Sequence, residues 1–163
     1  MFSVNLSSFS LGAFAILAVF AFVYARQFRE EPGRFEFALF SAASGVASLG
    51  ALLGVFSFGE FAPITVALAL ALLLFGAALA WQGMRVFDQR PLNLKLAAAG
   101  PLAFLLLTVS APFLQEDANA RFLCAALFAA VYTALAAYEL KSSEKEEQLS
   151  NRPFAYHWFA AIS

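Results

Sequence analysis

The chain has 163 residues, 62% of them hydrophobic and only 13% charged, with a formal net charge of −1. Soluble domains carry roughly 45 to 50% apolar residues, so a water-soluble core is excluded: too few polar side chains remain to cover its surface, whereas lipid solvates apolar groups directly. The near-neutral charge, with basic residues spread over short connections, also excludes a nucleic-acid partner, which needs a concentrated basic face.

An apolar helix needs about 20 residues to cross a hydrocarbon core of roughly 30 Å. Five stretches meet that length and predict an all-α integral membrane bundle over residues 1–140. The first covers 6–25; Met1 to Ser10 carries no charged side chain, so it lacks the basic start of a cleavable signal peptide and reads as a retained helix. Glu30-Glu31-Pro32-Gly33 then forms a turn. The second, 35–58, carries Ser41, Ser44, Gly45, Ser48, Gly50 and Gly54, small residues at helical spacing that let backbones approach closely. Such a face suits packing within the chain, its commoner use, or a homodimer. Only Gly59 and Glu60 separate it from the third, 61–82, which predicts an antiparallel hairpin with Pro63 in the first turn of the returning helix.

The fourth stretch, 94–114, contains Pro101, which frees a backbone carbonyl and predicts a kink. Gln115 to Asn119 is a polar connection to the fifth, 121–140. Residues 141–152 read as a charged cytoplasmic linker, and Pro153 to Ser163 as the start of a sixth span. Eleven helical residues reach about 16 Å, half a bilayer, so the chain is expected to be a fragment of a longer reading frame.

Nine of the ten lysines and arginines lie in alternate gaps: Arg26, Arg29 and Arg34; Arg85, Arg90 and Lys95; Lys141, Lys145 and Arg152. Basic loops stay cytoplasmic during insertion, which places those gaps inside and the amino terminus outside. Arg121 alone breaks the pattern. Tyr24, Trp81 and Tyr138 end their spans beside the basic gaps, as rings at headgroup level would. Glu36 and Glu139 lie at cytoplasmic span ends, where carboxylates can reach water.

Chemistry-bearing clusters are absent from these segments. The single histidine, His157, sits beside Trp158, and the single cysteine, Cys124, lies inside an apolar run, so no metal site, cofactor site or intrachain disulfide is expected.

Three segments together carry a family likeness: Trp81-Gln-Gly-Met-Arg-Val-Phe-Asp-Gln-Arg90, Asp117-Ala-Asn-Ala-Arg121, and Ala136-Ala-Tyr-Glu-Leu140 before a charged linker. Their order and separation resemble the amino-terminal membrane region that precedes the catalytic domain of bacterial GGDEF-type diguanylate cyclases, over residues 61–163. The resemblance implies a signal-input region in the bacterial cytoplasmic membrane, upstream of a domain that condenses two GTP molecules into cyclic di-GMP. None of that domain's catalytic residues is in this chain. Within the resemblance, Trp81, Gly83 and Arg85 form a cytoplasmic-edge motif in which Gly83 allows close approach and Arg85 faces lipid phosphate or a neighbouring helix. Arg121, the sole external cation, would snorkel outward, pair with Glu116 or Asp117, or recognise a small-molecule or lipid signal. A cytoplasmic output must follow an odd number of spans, so a sixth would require a seventh. The alternatives are a small transporter or channel subunit, which would need ionisable groups near mid-membrane, and a structural or assembly protein.

Overall fold

The computed structural model describes residues 6–56 and 62–142, and among these every regular element is a helix. In chain order these are α1 (Leu6–Glu30), α2 (Phe35–Val55), α3 (Ala62–Phe87), α4 (Leu94–Ser110), α5 (Pro112–Glu116) and α6 (Ala118–Ser142). Four of them, α1, α2, α3 and α6, are long and apolar enough to cross a membrane. The hairpin turn at Gly59 and Glu60, the charged linker beyond Ser142 and the expected start of a sixth span lie outside the described residues.

The successive long helices run antiparallel, and α3 is their centre: α2 packs on one side of it, α4 and α6 on the other, and α1 joins through α2. This order gathers the α1–α2 and α3–α4 connections at one end. The Arg34 guanidinium lies 4.4 Å from the Phe37 ring and 5.9 Å from that of Phe87. A cluster of Tyr24, Phe37, Phe40, Leu79 and Met84 forms the core at this basic end.

The α2–α3 contact is set by two glycines facing opposite ways across it. A methyl group on Gly50 would stand 2.7 Å from the Ala69 carbonyl oxygen, and one on Gly76 would stand 2.8 Å from that of Ala43. Each helix therefore lays backbone directly against backbone, the close approach that replaces a hydrophobic driving force where the solvent is itself apolar. The opposite side of α2 faces α1. There Ser41 donates to the Ala21 carbonyl at 2.9 Å and Ser48 to that of Phe14 at 3.2 Å. The Gly50/Gly54 pair thus serves two interfaces, since Gly54 stands against Ser10 of α1.

Two expectations need correction, both of helix bounds. The fourth stretch is not one helix over 94–114: it is divided at Ala111, whose backbone is extended (φ −107°, ψ 108°). Pro112 causes this, because its ring crowds a helical conformation at the preceding residue and its own missing N–H suits the first position of a new helix. At 17 residues α4 spans about 25 Å. The third helix runs on to Phe87, beyond the expected end at 82, so Trp81, Gly83 and Arg85 lie in the last two turns of α3, Arg85 in its last turn. Of the three rings assigned to headgroup level, Tyr24 and Trp81 are only 2% and 6% exposed, packed between helices, while Tyr138 is 65% exposed.

Gly50→Ala and Gly76→Ala should each destabilise the protein by about 1–3 kcal/mol through overpacking, measured by unfolding in mixed micelles. Gly12→Ala, which meets nothing within 4 Å, should cost nothing. Equal losses at all three positions would refute backbone contact as the determinant.

Candidate functional site

Helix α6 turns a largely apolar face outward and three of its polar side chains inward. Leu123, Leu127, Val131 and Tyr138 are exposed, whereas Arg121, Ala125, Tyr132, Ala136 and Glu139 are buried. The buried set recurs at helical spacing and forms one stripe facing α3 and α4. Three of its members are polar, and each holds a partner on a different part of those two helices.

The central member repairs a fault in α4. Pro101 has no N–H, so the Ala97 carbonyl four residues earlier loses its helical donor. The Tyr132 hydroxyl takes that place: it lies 3.1 Å from the Ala97 carbonyl oxygen and 3.3 Å from that of Leu96, and accepts from the Gly100 N–H at 3.0 Å. One hydroxyl proton serves two carbonyls, and one oxygen takes the amide that would otherwise close on Leu96. Leaving such a buried carbonyl unpaired costs about 1–3 kcal/mol. Gly100 makes room, for a methyl there would collide with the Tyr132 hydroxyl and lie 2.8 Å from its Cε2. The ring itself rests against Trp81, centroids 6.0 Å apart, with Ala78, Ala97 and Ala136 around it.

At the basic end Glu139 is clamped by two arginines. Arg90 Nη1 stands 2.6 Å from its Oε2, and Arg85 Nε 3.8 Å from its Oε1. The carboxylate is 6% exposed and is held by protein cations, contrary to the expectation that it reaches water. Arg85 also covers the Trp81 ring at 5.4 Å. Arg90 reaches Glu139 because α3 ends in a Schellman turn: Arg90 N–H bonds the Arg85 carbonyl and Gln89 N–H that of Val86, with Gln89 at φ 59°. Behind the clamp, the fully buried Gln82 accepts from Asn93 N–H at 2.8 Å, and Asn93 caps α4 by accepting from Leu96 N–H at 3.2 Å.

At the other end Arg121 is 4% exposed and donates from Nη1 to the Pro63 carbonyl of α3 at 2.9 Å. It neither snorkels outward nor forms an ion pair with Glu116 or Asp117 among the described residues. Asp117 instead starts α6, its Oδ1 accepting from Asn119 N–H at 2.8 Å. Gly83 faces α2, where a methyl would stand 2.8 Å from the Phe40 ring.

The sequence-derived candidates therefore separate. Trp81, Arg85 and Arg121 belong to the contacts of α6; Gly50, Gly54 and Gly83 serve packing; Asp117 caps. Tyr132, Gly100, Gln82 and Glu139 complete the arrangement, and the signal that points to them is a polar side chain in an apolar run opposite a Gly-Pro pair. No group of three or more metal-ligating side chains occurs among the described residues.

Two outcomes are expected. Gln89→Gly should stabilise by roughly 0.5–1 kcal/mol, because a left-handed backbone costs a side-chain-bearing residue more than glycine's added chain entropy. Glu139→Leu should cost about 2 kcal/mol, below the 3–5 typical of a broken buried pair because Arg90 reaches water. The double variant Arg85→Met/Glu139→Leu should recover most of that loss; additive losses in the same unfolding assay would contradict the clamp.

No protein-family model, no curated protein and no solved structure matches this chain.

Proposed function

We propose that this protein is a membrane-embedded regulatory module, the input region of a bacterial signalling protein, with α6 as the helix that carries its output. The observation that supports this most is the inward polar stripe of α6. Arg121, Tyr132 and Glu139 hold one helix to two others at three heights, the first two by directional hydrogen bonds and Glu139 by ion pairs. Close-packed helices exchange one arrangement for another in discrete steps, and these contacts specify the register of α6 in each. Past Ser142 the chain continues into the charged segment that the sequence places between bundle and output, so a change in the register of α6 would be passed on along the chain. The reading takes α1, α2, α3 and α6 as membrane spans, with α4 and α5 together as a fifth, interrupted crossing. The basic connections face the cytoplasm, by the retention of positive charge during insertion. Likeness of the Trp81, Asp117 and Ala136 segments to the region preceding GGDEF domains favours a diguanylate cyclase as that output.

A transporter or channel subunit fits less well. It calls for ionisable groups near mid-membrane, yet Glu36 is the second residue of α2, Arg121 the fourth of α6, and Glu139 lies three residues before that helix ends.

Two measurements test this. Reporter fusions after Glu31 and after Arg90 should both report the cytoplasm; opposite faces would overturn the topology. The genomic frame beyond codon 163 should encode a signalling output domain, a cyclase, kinase or phosphodiesterase. An immediate stop codon would end the input-region reading.

A further inference from the structure

We infer that Gly100–Pro101 is a hinge in α4 and that the Tyr132 hydroxyl is its latch, so that the position of α6 decides how the two halves of α4 are joined. This deepens the proposed function and rests on its reading of α6 as the moving helix, although the latch itself can be tested without any output domain.

Two neighbouring steps of the α4 ladder run through a side chain of another helix. The Ala97 carbonyl lacks the donor that residue 101 would supply and takes the Tyr132 hydroxyl at 3.1 Å, and the Gly100 N–H is directed to the Tyr132 oxygen at 3.0 Å. A helix with two adjacent main-chain bonds diverted bends there most readily. Direct packing between α4 and α6 is otherwise sparse, both helices resting chiefly on α3; beside the hydroxyl, the Phe104 ring meets that of Phe128 edge-on at 6.3 Å, next to Ala125, so the hydroxyl is the polar link between the two helices. Its withdrawal has a defined consequence. Gly100 N–H can close on the Leu96 carbonyl and restore one helical bond, while the Ala97 carbonyl stays unpaired in an apolar surrounding unless α4 bends and offers it another partner. The two states thus differ by about one buried hydrogen bond, a factor of roughly 10 to 100 in population, small enough for a ligand or the lipid to reverse. The half that moves is Leu102–Ser110 together with α5, whose joint at Ala111 is already extended. A shift at that end of the bundle would therefore be coupled to α6 through this hydroxyl together with the Phe104–Phe128 contact.

The test uses the full chain in nanodiscs, on a Cys124→Ala background, with spin labels at Leu106 and Ile64 to follow the far half of α4 against α3. Labels at Leu96 and Phe35 serve as a control on the near half; all four positions are exposed. Tyr132→Phe keeps the ring and removes the hydroxyl. It should raise a second Leu106–Ile64 distance population about tenfold or more and leave the Leu96–Phe35 distribution unchanged. Pro101→Ala returns the missing N–H to the Ala97 carbonyl, so Tyr132→Phe added to Pro101→Ala should leave both distributions as in the parent. Gly100→Ala, which expels the ring, should reproduce the Tyr132→Phe distribution. If Tyr132→Phe alone fails to fold, folding of the Pro101→Ala/Tyr132→Phe pair supports the latch and its failure overturns it. A parental distribution in Tyr132→Phe, or an undiminished effect of Tyr132→Phe on the Pro101→Ala background, also overturns it.

Discussion

An opened hydrogen-bond ladder closed by a side chain from another helix is the contact on which one half of this bundle depends. Where water is scarce, every backbone carbonyl and amide needs a partner within the protein, and Pro101 withholds one. The repair by Tyr132 dictates its surroundings: a glycine at position 100 to admit the ring, alanines at 78, 97 and 136 to seat it, and Trp81 to wall it. It also sets the register of α6 against α4, because a displacement of one residue carries the hydroxyl about 100° around the helix and away from its acceptors.

The two sides of α3 are joined by different physics. Toward α2 the contact is one of close backbone approach, Gly50 and Gly76 each lying under the partner's main chain, with α1 tied on beyond by serine hydroxyls. Dispersion over such a surface is strong in sum and falls steeply with any gap, which holds the pair in one arrangement. Toward α4 and α6 the contact is punctuated by hydrogen bonds from Arg121 and Tyr132 and by the ion pairs of Glu139. Those either hold or break. A bundle made of a rigid pair and a latched pair has an evident place for motion.

Much of the architecture was legible in the sequence. Hydrophobic runs of spanning length, separated by polar turns, foretell long antiparallel helices, because a segment with no polar face has nowhere to lie but inside protein or lipid. Alternating positive charge foretells which connections share an end, as Arg34 and Phe87 do. The small residues of α2 announced close packing, although not that Gly50 and Gly54 would turn to different helices. Helix boundaries were less legible. The division of the fourth stretch follows from Pro112, whose effect on Ala111 is local and readable, but the eye is drawn first to Pro101, which leaves the helix continuous because Tyr132 compensates for it.

Partnerships are what the sequence left open. By itself it determined helix content, approximate lengths, the antiparallel order and the side on which basic residues gather, all consequences of local propensity and of the cost of placing polar groups in apolar surroundings. Only the tertiary structure decided that Glu139 would be clamped by Arg85 and Arg90 instead of reaching water, that Arg121 would turn inward to Pro63, and that Tyr24 and Trp81 would pack between helices while Tyr138 stays exposed. In each case the side chain has the reach to do either. The choice depends on which helix is its neighbour and at what rotation, which follows from the packing of all the helices together and not from any one segment.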